Sequence, residues 1–216
     1  MSDPMRPLRA DAARNHERIL GAAVLAFEEV GPEATLEQIA ERAGVSVMTL
    51  YRRFGGRDQL VRAVFDHVLA TEIDPVVTAR GDDPWRDLVA ALATVTDVLV
   101  RRRAIHSLAL GFRTFAGETA ERFVASLGRL LERAVEAGVV RRELEVRDLV
   151  AVVVMAMAVV HPGDPEGVDR RRYLALLTDG LRPSAETLPP PLSHEVPGPP
   201  GREACVRSSS PEEPTA

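Results

Sequence analysis

From Asp11 to Leu181 the apolar residues recur three and four positions apart, the repeat of one helix face, and no stretch alternates as a half-buried strand does. Such a chain folds as an all-α protein. Ile19, Ala22, Ala23, Ala26, Phe27 and Val30 give the first helix its apolar face, closed by Gly31-Pro32. Thr35-Leu36-Glu37-Gln38 is a capping box, with Thr35 at the N-cap and Gln38 three residues on. It opens a short helix with Leu36, Ile39, Ala40 and Ala43 on its apolar side. Gly44 ends that helix, Ser46 caps the next, and Gly55-Gly56 closes it. A longer helix is predicted from Arg57 to about Thr71. Asp83-Pro84 starts another, running to Val100. Ala104–Phe112, Glu118–Ala137, Val146–His161 and Val168–Leu181 complete about nine helices.

After Pro183 the composition changes. The last 34 residues hold nine of the 16 prolines and only eight hydrophobic residues, too few to offset the entropy of ordering. Three regions follow: an N-terminal arm and helix-turn-helix unit at 1–56, a larger helical domain at 57–182, and a disordered Pro-rich tail at 183–216. The net charge of −5 argues against a uniformly basic polyanion binder, though not against a local basic face. The chain has no Lys, so its basic side chains other than His are all Arg. Its one cysteine, Cys205, excludes an intrachain disulfide framework or a Cys-based zinc site. The opening MSDPMRPLRADAARN lacks the apolar core of a signal peptide. The longest apolar run, Leu149 to Val160, has 12 residues, too few to span a bilayer. The expectation is a cytoplasmic protein without a membrane partner.

On a helix starting after Ser46, Val47, Leu50, Tyr51 and Phe54 share one side, with Tyr51 at its margin, while Met48, Thr49, Arg52 and Arg53 share the other. The first side packs on the two preceding helices. The second places two guanidinium groups, a hydroxyl and a flexible apolar side chain on one exposed face. A helix, a turn of about four residues and a second helix with a polar outer face is the layout of a helix-turn-helix DNA reader. Arg suits guanine O6 and N7, and Thr or Met suits a thymine methyl. Residues 1–62 hold nine Arg and nine acidic residues, and the two signs are segregated. Arg6, Arg9, Arg14 and Arg18 precede or open the first helix, and Arg52, Arg53 and Arg57 surround the reading helix. Glu28, Glu29, Glu33, Glu37 and Glu41 cluster elsewhere. A helical bundle can also carry a short helix with a charged outer face, so pattern alone leaves both readings open.

ERILGAAVLAFEEVGPEATLEQIAERAGVSVMTLYRRFGGRDQLVRAVF, Glu17 to Phe65, strongly resembles the N-terminal domain of the TetR/AcrR family of bacterial transcriptional regulators, several fixed spacings being met together. RYLALLTDGLRP, Arg172 to Pro183, resembles the end of the last helix in many such proteins. The resemblance implies a homodimer with small DNA-binding and larger ligand-binding domains, a repressor released from a palindromic double-stranded operator by a small-molecule effector. It implies that Thr49 and Tyr51 touch DNA and that Val47, Met48 and Arg52 read bases; Arg53 is a DNA-binding candidate from its place on the same basic face. The resemblance also sets Arg57 and Thr35 beside the phosphate backbone. Gly55-Gly56 departs from the more usual Pro or Ser/Asn and weakens the cap on the fourth helix.

Leu149 to Val160 is apolar all round, as in a helix buried on every side or one that also meets a second subunit. The resemblance favours pairing of the last two helices with their symmetry mates, through Val153, Met157, Tyr173, Leu174, Leu177 and Leu181. For an effector pocket the candidates are Phe65, Trp85, His106, Phe112, Phe115 and Met155; each also fits ordinary core. No cofactor or metal is expected. The five histidines lack metal-ligand spacing, and there is no nucleophile elbow or phosphate-cradling glycine loop, which sets an enzyme aside. The alternative function is a dimeric helical small-molecule-binding protein that has lost operator recognition.

Overall fold

The computed structural model describes residues 5–111, 118–159, 164 and 166–191. Among them it is all-helical. Helix α1 spans Met5–Glu29, α2 Leu36–Arg42, α3 Val47–Phe54 and α4 Arg57–Val68. After these come α5 (Asp74–Val77), α6 (Pro84–Arg101), α7 (Arg103–Gly111), α8 (Glu118–Glu136), α9 (Val146–Ala158) and α10 (Val168–Asp179). The nine expected segments are all present; the tenth, α5, is a one-turn continuation of α4. Helix α1 begins at Met5, so Arg6 and Arg9 lie on helical backbone.

Local chemistry sets these boundaries. Thr35 accepts from the Gln38 amide at 3.2 Å while Gln38 Oε1 accepts from the Thr35 amide at 2.9 Å, the reciprocal box read from the sequence. Gly44 takes φ 62° in the turn between α2 and α3, a conformation open to Gly at little cost. Helix α4 runs past Thr71 because its ladder widens into a π-turn, Leu69–Ile73, before α5. Pro75 explains this: it has no amide to donate to Thr71, and its ring crowds that carbonyl.

Helix α1 packs on α2, α4 and α7; α3 rests on α2 and α4. Around α6 gather α8 and α9, with α10 laid against α9. Ile19, Phe27, Ile39, Leu50 and Leu60 are fully buried in the first group, and Leu88, Leu92, Leu127 and Leu149 in the second. Arg102, at the α6–α7 junction, joins the two. It pairs with Glu28 of α1 and with Glu72 of the π-turn, the latter at 2.9 Å, and Arg101 reaches the other Glu72 oxygen at 3.0 Å.

Beyond α10 residues 183–191 run without helix or strand. Arg141 donates to the Glu186 carbonyl, and the Leu188 amide donates to Glu143 at 3.2 Å. The rest of the Pro-rich segment lies outside the described residues. Among the described residues no helix is long and apolar enough to cross a membrane.

Candidate nucleic-acid interface

Helix α3 is short, and its two sides have different tasks. Leu50 is fully buried and Phe54 nearly so, anchoring the helix on α2 and α4, with Phe54 also stacked on His16 of α1. Met48 is 71% exposed and Tyr51 47% exposed, unusual for side chains that gain so much from burial. Arg52 and Arg53 are exposed beside them, and Val47 and Thr49 are half-buried at the flanks. The Ser46 hydroxyl caps the helix by accepting from the Thr49 amide at 3.1 Å, and the Ser46 and Thr49 hydroxyls lie 2.8 Å apart. Gly55, at φ 80°, then stops the helix in a left-handed cap that puts both arginines in its last turn.

The exposed side of α3 is therefore basic, hydroxylated and partly apolar, on a rigid support. The basic surface extends to α1, where Arg14 and Arg18 are exposed and Arg18 donates to Asn15 at 2.8 Å. Among the acidic residues Glu29 pairs with Arg42 and Glu28 with Arg102, while Glu17 of α1 lies 3.3 Å from His67 Nδ1. Such a surface can bind phosphates while its central side chains reach base edges.

Two expected backbone contacts have structural employment. Arg57 donates from both terminal nitrogens to the carbonyls of Pro32 and Ala34, with its guanidinium 5.6 Å from the Phe27 ring centre. It fastens α4 to the turn after α1, so its guanidinium is already engaged by main-chain carbonyls while only half-buried, and its assignment to the DNA backbone is a proposal. Thr35 stays exposed while serving as the α2 cap.

The pocket candidates do not share one setting. Phe65 is buried on α4, and His106 is half-buried on α7, its pKa held below 6.5 by desolvation. Trp85 lies under the Arg182 guanidinium, 4.0 Å from its ring centre, and clamps the end of α10 to the start of α6. Met155 is on an exposed face of α9. Phe112 and Phe115 lie outside the described residues.

The interface candidates divide as well. Val153, Leu174 and Leu181 are buried within the chain's own core, so within one protomer they serve packing rather than an open face. Met157 and Leu177 are half-buried and Tyr173 is exposed. On α9 and α10 the exposed large apolar side chains are Val154 at 56%, Leu176 at 63%, Met155, Val168 and Tyr173. Sequence reasoning missed Val154 and Leu176, and also Glu28, Glu72 and Arg102, which no local pattern marks as partners.

These features define a helix-turn-helix protein with an attached helical domain. Residues 19–64 match the model of the bacterial regulatory proteins of the tetR family, and residues 84–183 match that of the SbtR-like transcriptional regulator C-terminal domain. The chain belongs to the TetR family of bacterial transcriptional regulators. It is 29% identical to the TetR transcription regulatory protein from Mycobacterium vanbaalenii, with a TM-score of 0.61 over 82% of this chain and 99% of that one. The regulator SCO0520 from Streptomyces coelicolor is 28% identical, with a TM-score of 0.58 over 79% of this chain and 99% of that one. TtgW, an HTH-type transcriptional regulator of Pseudomonas putida, is 33% identical over 91 residues, 40% of this chain and 66% of its own. The matches with three curated relatives span 66%, 51% and 42% of their lengths.

Proposed function

We propose that the protein is a homodimeric repressor whose α3 enters the major groove of a palindromic operator, and which a small-molecule effector releases. The observation that carries this is the sidedness of α3: Leu50 and Phe54 are locked into the core while Met48, Tyr51, Arg52 and Arg53 stand exposed. A short helix held this firmly, with arginines and apolar side chains outward, is suited to base and phosphate contact. Val154 and Leu176, on packed helices α9 and α10, support pairing with a second copy, which would bury them across a two-fold axis. Helix α4 packs on α1 and α3 and leads through its π-turn and α5 onto α6 and α8, so an effector that prefers one tilt of α4 changes the separation of the two α3 helices. Only differential affinity for the two states can do this.

The full-length protein should enrich a palindromic duplex from a randomised pool. Affinity for that duplex should exceed affinity for random duplex by orders of magnitude and fall steeply with salt. Equal, weak binding to both would instead favour a small-molecule-binding protein without operator recognition.

A further inference from the structure

At the edge of the α3 surface, the His16 ring of α1 stacks on Phe54, with ring centres 5.3 Å apart and planes 20° from parallel. Arg53 donates from Nε to His16 Nδ1 at 3.4 Å, a long contact. Accepting this bond requires a bare Nδ1, and hence a neutral ring. With Nε held, the two terminal guanidinium nitrogens remain available as a fork for a phosphate. The charged and titratable groups facing His16 are Arg53 from α3, His67 from α4 and Glu17 from α1 itself. Glu17 lies 3.3 Å from His67 Nδ1.

We infer that His16 is a positioning residue for DNA binding: its neutral Nδ1 holds Arg53 in place, and protonation releases Arg53 and weakens binding. The inference rests on the proposed role of α3. Desolvation first, then Arg53, holds the His16 pKa below 6.5, so the clamp is intact at neutral pH. A protonated Nδ1 would carry a hydrogen toward the Arg53 Nε–H, replacing attraction with repulsion between two cations. The direction is diagnostic. A histidine that simply faces a phosphate takes up a proton on binding and tightens the complex in acid, whereas this clamp predicts loosening.

The test uses full-length protein and a duplex it has enriched from a randomised pool at pH 8. Fluorescence anisotropy is measured at pH 8.0 and 5.5 at constant ionic strength. His16→Asn keeps an acceptor near the Nδ1 position without titrating; His16→Phe keeps the stack without the acceptor. At pH 8.0 His16→Asn should bind like the wild type and His16→Phe about two- to tenfold more weakly, the range of one hydrogen bond. At pH 5.5 the wild type should lose a similar factor beyond any loss in His16→Asn. In an Arg53→Ala background the His16 variants should add nothing. Equal acid responses in wild type and His16→Asn, or His16→Phe binding like wild type, would overturn the inference and leave the role of α3 intact. Failure to enrich any duplex would overturn both. Circular-dichroism melts at each pH check that every variant is folded.

Discussion

Arg102 should hold the two helical groups in register, and its removal should cost more than an ordinary surface ion pair. Its side chain is 19% exposed, and those of Glu28 and Glu72 are 31% and 22% exposed. Both carboxylates are thus partly desolvated and share one cation, with Arg101 adding a more exposed second to Glu72. An effective dielectric near 20 gives each close pair a gross attraction of about 4 kcal/mol at 4 Å, and desolvation cancels much of it. Arg102→Met keeps the apolar stem but leaves the carboxylates without their shared cation. We expect a loss of about 1–3 kcal/mol, between exposed and buried pairs. For a chain of this size that lowers the melting temperature by roughly 2–10 °C. Glu28→Gln alone should cost less, and the double variant should fall short of additivity by about 1 kcal/mol. Urea unfolding followed by circular dichroism, at one fixed protomer concentration, measures all three. Strict additivity, or an unchanged midpoint in Arg102→Met, would refute the reasoning.

Other expectations follow from single contacts. Leu176→Asp puts a charge on the exposed α9–α10 face; sedimentation should find it a folded monomer with weakened operator binding, while the wild type sediments as a dimer. Ser46→Ala removes the α3 cap, and urea unfolding should show a loss of about 1 kcal/mol, with weaker operator binding as the first turn frays. His106 has a lowered folded pKa, so below its unfolded value of 6.5 the unfolded chain binds the proton more readily. Its contribution is present above pH 6.5 and lost as pH falls toward the folded pKa. His106→Gln should accordingly flatten the decline in urea midpoint between pH 7.5 and 5.5.

The helix boundaries were legible because each carries its own signal: the box at Thr35, the cap at Ser46, the glycines after α2 and α3. The two sides of α3 were legible for a similar reason, since Leu50 and Phe54 alternate with polar residues at helical spacing and fix its rotation. Helix α9 offered no such phase. Where nearly every side chain is apolar, periodicity cannot tell Val153, which is buried, from Val154, which is not. Arg57 looked like a free cation because its partners are main-chain carbonyls of Pro32 and Ala34, and carbonyls carry no residue identity. Trp85 and Arg182 are nearly a hundred residues apart, and Arg102 and Glu28 are 74 apart; only the folded topology brings such partners together.

The proposed DNA-reading role of α3 is tested most directly by repeating the duplex selection with Arg52→Ala. The wild-type consensus should lose its preference at one position, or two adjacent ones, in each half-site, with half-site spacing and flanking positions unchanged. Affinity for the wild-type duplex should fall by about 1–3 kcal/mol, and affinity for random duplex much less. An unchanged consensus, bound by Arg52→Ala as tightly as by the wild type, would contradict base reading by Arg52 and place recognition elsewhere on the surface.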